Sequence, residues 1–199
     1  MNTTFLQRHS FLKDVISIAI FIVCVLIGTL TINTFIFRSF SVVGPSMEST
    51  LYTNDRLIVN RIPVTLAQLQ NKKYIPERGQ IIVFKNPQYS STSNDEYIVK
   101  RVIAFPGERV VLSNGKYTVY NNNNPNGFNP DDDNNNEPGS PTSGSVDVIV
   151  PNDELFVSGD HRQGDYSYDS RNGLGTIPFY DVVGPVSLRV FPFDKIRNF

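Results

Sequence analysis

Ser46 and Lys100 are the two side chains whose types and settings suggest shared chemistry. Ser46 sits in Gly-Pro-Ser-Met-Glu-Ser-Thr-Leu, Gly44 to Leu51, nine positions after Phe37 closes a long apolar run. Lys100 sits in Tyr97–Phe105, which reads as a strand. Successive strand residues face opposite ways. Lys100 therefore shares a face with Ile98, Val102 and Ala104, and Arg101 shares the other with Tyr97, Val99, Ile103 and Phe105. Both faces are mostly apolar, so one cation or the other must lie among hydrophobic groups. Arginine stays charged there, whereas lysine can shed its proton. Burial lowers a lysine pKa by up to roughly 3–5 from a reference near 10.4. A neutral amine can then take the proton of a serine hydroxyl, giving a hydrolase that needs no histidine. Two plainer readings stand beside this one: a lysine that snorkels to the surface, and a Gly-Pro-Ser bend that is only a turn. In that bend Gly44 permits close backbone approach and Pro45 stiffens the chain. The Ser46 hydroxyl and backbone N–H would then both be presented to a reacting carbonyl.

A Ser-His-Asp arrangement is the competing chemistry. His161 follows Asp160, with Asp165 and Asp169 near in sequence. A triad needs the histidine in reach of the serine and oriented by a third group, and His161 lies in a charged stretch without other distinguishing context. The remaining histidine, His9, precedes the apolar run and is expected on the opposite side of a membrane from Ser46. With two histidines and one cysteine, Cys24, a zinc site is disfavoured and an intrachain disulfide is impossible. Asp131, Asp132 and Asp133 lack the alternating oxygen ligands, Gly and Glu of an EF-hand loop. A net charge of -1 offers no basic footprint for nucleic acid.

The elements that must position these residues begin with Val15–Phe37, which carries no charge over 23 residues. At about 1.5 Å per residue it reaches roughly 34 Å, enough for a hydrocarbon core of roughly 30 Å. It is longer than a signal-peptide h-region, and no A-x-A-like site follows it, so it reads as an uncleaved anchor. Nine extended residues span at most about 32 Å, which keeps Ser46 near the bilayer surface. Arg8 and Lys13 before the span balance Arg38 and Arg56 after it, so charge does not set its orientation.

From Ser39 onward, short β-branched and aromatic runs alternate with turn residues. The expected strands are Phe40–Val43, Arg56–Arg61, Gln80–Phe84, Tyr97–Phe105, Arg109–Leu112, Lys116–Tyr120, Val146–Val150, Glu154–Val157 and Val182–Val190, with one short helix over Thr65–Lys73. At 199 residues the chain can bury one substantial core or two small lobes. Asn121–Ser145 has almost no apolar residues and reads as a solvated loop insertion. The organisation expected is a flank over 1–14, an anchor over 15–37 and a β-rich catalytic domain over 38–199, with 121–145 inserted in it.

Four motifs, in order, resemble the type I signal peptidases, the membrane-bound serine proteases that remove signal peptides from exported proteins. They are GPSMESTL from Gly44, GQIIVF from Gly79, KRVIAFPGE from Lys100, and GDHR followed by SYDSR between Gly159 and Arg171. The resemblance implies a mainly antiparallel β catalytic domain behind one N-terminal transmembrane helix, single-pass in the cell membrane with the catalytic domain extracytoplasmic. It implies Ser46 as nucleophile and Lys100 as general base, with Ser167 orienting the Lys100 amine. Asp169 and Arg171 would form a supporting ion pair, and Asp160 and Arg162 would shape the adjoining loop. The Gly44–Ser46 turn would supply the oxyanion contact through the Ser46 N–H. Partners would be membrane lipid and preproteins with small residues before the cut, paired between Ser39–Gly44 and Tyr97–Lys100. No metal or cofactor is required by this chemistry. The chain departs from the family pattern at Ser49, Gln80 and His161, where proline, aspartate and asparagine are usual. Gly44 stands where some members carry a serine, and four residues rather than two separate Arg162 from Ser167. Two other classes share some of these features. They are a self-cleaving Ser-Lys repressor, whose DNA-binding unit is here replaced by an apolar span, and a non-enzymatic membrane-tethered β-domain.

Overall fold

The computed structural model describes residues 10–90, 95–132, 138 and 141–199. Arg8, His9 and Asp133 lie outside the described residues. The apolar run forms one helix, α1, Ser10–Phe35, long and apolar enough to cross a membrane. It ends two residues before the expected Phe37, because Phe37 already pairs with Asn60 as the first residue of β1, Phe37–Ser41. The short helix α2 runs Ile62–Leu69, three residues earlier than expected at its start. Pro63 stands in its first turn, where a missing N–H costs nothing and a fixed φ suits the helix.

All strand pairings are antiparallel. The larger sheet runs β1, β2 (Arg56–Asn60), β11 (Val182–Phe191), β3 (Ile81–Lys85), β4 (Tyr97–Ala104), β9 (Glu154–Ser158) and β10 (Ile177–Pro178), with β12 (Arg197–Asn198) also on β11. A smaller sheet runs β7 (Asn124–Phe128), β6 (Lys116–Asn121), β5 (Arg109–Ser113) and β8 (Val146–Ile149). Asn114 and Gly115, at φ +51° and +76°, close the β5–β6 hairpin. Asn-Gly adopts this left-handed pair readily, and its twist matches the strands.

The strand over Asn124–Phe128 corrects the reading of 121–145 as loop throughout. Val119 pairs with Phe128 and Asn121 with Asn124, and Phe128 packs on the core beneath the small sheet. Backbone pairing and one aromatic anchor suffice here, so the scarcity of apolar residues misleads.

Three apolar clusters hold the molecule. Ile82, Phe84, Ile98, Val102, Leu155 and Val157 join on one side of the large sheet. Ile81, Val83, Leu57, Val59, Val183 and Val186 join on the other, together with Met47 and Leu51. Adjacent residues of β3 thus feed opposite cores, which explains why its sequence is continuously apolar rather than alternating. The third cluster links Ile103, Ala104 and Phe156 to Val110, Leu112, Tyr117 and Val119 of the small sheet. β4 takes part in all three and carries Lys100 at their meeting point.

Candidate active site

Ser46 lies in a turn whose flanks are pinned. Met47 and Leu51 are fully buried in the second cluster, and the turn closes through Glu48 N–H to the Pro45 carbonyl and Leu51 N–H to the Met47 carbonyl. Gly44 has φ +89°, while a Cβ there would meet nothing within 4 Å. Backbone conformation rather than crowding therefore favours glycine at this position. The Gly44 N–H donates to Thr53 Oγ1 at 3.1 Å, so it is engaged within the turn. None of the described hydrogen bonds uses the Ser46 N–H.

Lys100 pairs in register with Ile82 across β3. It is 3% exposed, and its same-face neighbours Ile98 and Val102 are core residues. Its Nζ donates to Ser46 Oγ at 2.8 Å and to the Val99 carbonyl at 2.9 Å. Burial pushes the Lys100 pKa down from 10.5 to about 8, even though the charges of Asp169, Asp160 and Asp95 pull it upward. Desolvation outweighs three carboxylates, and a substantial neutral fraction becomes accessible near physiological pH. This placement excludes a lysine that snorkels to solvent.

Arg101 also turns out to be buried, and a dedicated partner keeps its charge. Asp160 accepts from Arg101 Nε at 2.8 Å and Nη2 at 2.5 Å, and from Thr50 Oγ1 at 2.5 Å. Two adjacent basic residues thus meet opposite fates. Arg101 is neutralised by a bidentate carboxylate, while Lys100 faces a hydroxyl and a carbonyl. Asp160 and Arg162, two residues apart in the motif, take different partners. Arg162 is fully buried and pairs instead with Asp131, at 2.6 Å and 2.8 Å, while its Nε donates to the Gly159 carbonyl at 2.7 Å. Thr50 was not named from sequence, and neither Arg101 nor Asp131 was given its partner there. The apolar setting of Arg101 was a usable signal for Asp160, whereas nothing local pointed from Asp131 to Arg162.

Asp169 and Arg171 do form a buried pair, Nε to Oδ1 at 3.3 Å. The same carboxylate accepts from the Gly159 N–H at 2.9 Å and Ser158 Oγ at 3.2 Å. Ser167 is fully buried beside Gly159 and the Ser46 carbonyl. Its Oγ has no hydrogen-bond partner among the described residues, so the bond to Lys100 that the resemblance implies is absent from this arrangement. The Val99 carbonyl takes that orienting place.

His161 sits at the turn without reaching the Ser46 hydroxyl. Its backbone N–H donates to the Ser46 carbonyl at 3.1 Å, and its ring donates through Nδ1 to the Pro45 carbonyl at 3.2 Å. Tyr166 stacks on that ring with centroids 4.5 Å apart. The histidine braces backbone and does not contact the Ser46 hydroxyl, which removes the geometric basis for a Ser-His-Asp reading.

A groove of about 440 Å³ leads to Ser46 and Lys100. One wall is the β1 edge and its continuation, Phe40 to Pro45. The other is Tyr97–Lys100 of β4, ahead of the point where β9 begins pairing at Arg101. Tyr166 and Tyr168 also line it. Among the described residues no cluster of three or more His, Cys, Asp or Glu is arranged to hold a metal ion.

Residues 12–191 match the family described as "Signal peptidase, peptidase S26". The chain is 32% identical over 183 residues to "Signal peptidase I P" of Bacillus subtilis subsp. natto, covering 89% of each chain. It is 33% identical over 192 residues to "Signal peptidase I" of Bacillus amyloliquefaciens, covering 89% of this chain and 88% of that one. A crystal structure of a signal peptidase I from Enterococcus faecalis V583 overlaps 57% of this chain and 97% of its own, at 25% identity. The TM-score of that overlap is 0.43.

Proposed function

We propose, from the premise that this chain belongs to the signal peptidase family S26, that its serine protease activity runs on a Ser46–Lys100 dyad. Family membership makes the chain a peptide-bond hydrolase that cleaves signal peptides. The observation that carries the dyad is the 2.8 Å Nζ–Oγ contact made by a lysine whose pKa is lowered by burial.

In the charged state Nζ donates to Oγ. Once neutral, its lone pair accepts the Ser46 proton as Oγ attacks the substrate carbonyl. An acyl-enzyme forms, the amine of the leaving chain departs with a proton, and neutral Lys100 then activates water to release the acyl group. The Ser46 N–H supplies one donor to the developing oxyanion. Such a donor is worth roughly 10²–10³ in rate where it has been removed.

The substrate is a preprotein whose cleavage region lies extended in the groove. It would hydrogen-bond to the β1 edge and to Tyr97–Lys100, a β-strand addition in which alternate side chains enter pockets. The pockets between these edges admit small side chains one and three residues before the cut. α1 anchors the protein in the membrane, with the β domain outside the cytoplasm.

The test is cleavage of a preprotein carrying an A-x-A site by the full chain in detergent or lipid. Wild type releases the signal peptide, and Ser46→Ala and Lys100→Ala both lose turnover. Activity retained by Lys100→Ala would refute the dyad, and binding without turnover by wild type would favour a tethered, non-enzymatic domain.

A further inference from the structure

The short helix α2 is fixed at the end of the span. Its start is tied to the end of α1 by two hydrogen bonds: Thr65 Oγ1 donates to the carbonyl of Phe35, the last residue of α1, at 2.9 Å, and the N–H of the capping Arg61 donates to the carbonyl of Ile36, just past α1, at 2.8 Å. Wherever the C-terminal end of α1 meets the bilayer surface, α2 is there too. The opposite sides of this helix differ in what they touch. Val64 is buried against the domain, whereas Ile62, Leu66 and Leu69 are 40%, 51% and 76% exposed. Their spacing of four and three places them in one stripe. At about 1.5 Å per residue the helix is roughly 12 Å long, so the stripe runs its whole length.

Charge points the same way. Arg38, on β1, lies over the Phe40 and Tyr97 rings and donates to the Tyr97 hydroxyl at 3.2 Å. Arg61 opens α2. Neither arginine forms an ion pair with a carboxylate among the described residues. Arg61 Nε is buried without a hydrogen-bond partner. Desolvation and the nearby Arg38 charge both lower the Arg61 pKa. Two cations near each other, one with an unmet donor, are the protein half of an anion site.

We propose that α2 is an interfacial helix, with Ile62, Leu66 and Leu69 entering the upper acyl region and Arg38 and Arg61 holding lipid phosphates. Apolar stripes flanked by cations bind this layer through buried area and attraction to anionic headgroups. The domain is then attached to the bilayer at two points, α1 and α2, and cannot rotate freely about the span. This rests on the reading of α1 as a membrane anchor.

The experiment uses the full chain in vesicles, labelled at single cysteines with an environment-sensitive fluorophore and read against spin-labelled lipids. Native Cys24, within α1, reports the span. Leu66→Cys and Ile149→Cys, each with Cys24→Ser, report α2 and an equally apolar exposed site on the small sheet. The Leu66→Cys probe is expected to emit to the blue and to be quenched by a lipid labelled at a shallow acyl position, while the Ile149→Cys probe stays unquenched. A quenched Cys24 probe with an unquenched Leu66→Cys probe overturns the interfacial helix and leaves the anchor standing. An unquenched Cys24 probe sinks both, and equal quenching at Leu66→Cys and Ile149→Cys overturns the specificity of the contact. Phosphatidylglycerol added to phosphatidylcholine vesicles deepens quenching at Leu66→Cys, and Arg38→Gln with Arg61→Gln removes that increment. Persistence of the increment, or its loss on adding inorganic phosphate at constant ionic strength, overturns the headgroup assignment. None of these readouts depends on preprotein cleavage.

Discussion

Arg101 grips Asp160 through Nε and Nη2 at 2.8 and 2.5 Å, one residue along β4 from Lys100 and from the opposite face. Thr50, four residues past Ser46, donates to the same carboxylate. The pair therefore ties the strand carrying Lys100 to the turn carrying Ser46. Arg101→Met leaves Asp160 buried and unpaired, a loss of about 3–5 kcal/mol, whereas replacing both by apolar residues of similar volume restores most of it. Thermal unfolding of Arg101→Met, Asp160→Leu and the double variant gives the coupling directly. Simply additive costs would show that the two do not act as a pair.

On the proposed dyad, cleavage is expected to rise with pH through about 8, the Lys100 value, because only the neutral amine would accept the serine proton. A kcat/KM profile flat from neutral to about pH 9 contradicts a titrating amine base. Stability follows with a definite sign. Below about 8 the folded protein holds a buried ammonium, a cost of about 3 kcal/mol relative to a lysine free in the unfolded chain. Above that pH the folded state is neutral while the unfolded lysine stays charged, so the cost shrinks and vanishes near 10.5. Lys100→Met is accordingly more stable than wild type at neutral pH, and the gap between their melting curves closes as pH rises from about 8. A gap independent of pH would remove the buried charge as its cause.

Gly159 is the place where a single methyl group does most harm to the site. A Cβ there would collide with Ser167 Oγ and with the Ser46 carbonyl. One of these atoms is backbone of the Ser46 turn and cannot swing aside. Gly159→Ala is expected to cut turnover at least as strongly as it lowers the melting temperature, read by kcat beside thermal unfolding. Full activity in a folded Gly159→Ala protein would mean the turn is looser than drawn.

His161→Ala keeps most of its turnover. The ring bonds the Pro45 carbonyl and stacks on Tyr166, and the backbone N–H that holds the Ser46 carbonyl survives substitution. Loss of cleavage as complete as in Ser46→Ala would reinstate histidine as a proton carrier.

Much of the β architecture was legible because it is written locally. The segments around β2, β3, β4, β5, β6, β8, β9 and β11 announce themselves through β-branched runs between turn residues, and Asn114-Gly115 marks a hairpin. β10 and β12 are only two residues each, and β7 is Asn- and Gly-rich, so none of the three carries a hydrophobic period. At the site, alternation along β4 separated Lys100 from Arg101 and put both among apolar neighbours. It could not say which carboxylate answers which arginine. Asp160 with Arg101 is a contact across 59 residues and Asp131 with Arg162 across 31, and the GDHR motif assigned Asp160 and Arg162 only to shaping their loop. Ser167 was named from its motif alone, and the Val99 carbonyl, a backbone atom with no sequence signature, occupies its expected place beside Lys100.

Only Ile36 stands between the last residue of α1 and the first of β1. There is no slack there for the domain to bob above the lipid. Once the span settles at its depth, the height of the Ser46 hydroxyl is settled with it. On the proposed anchoring and dyad, a bilayer that thickens or thins would carry the whole groove up or down, changing which bond of a threaded chain comes level with Ser46.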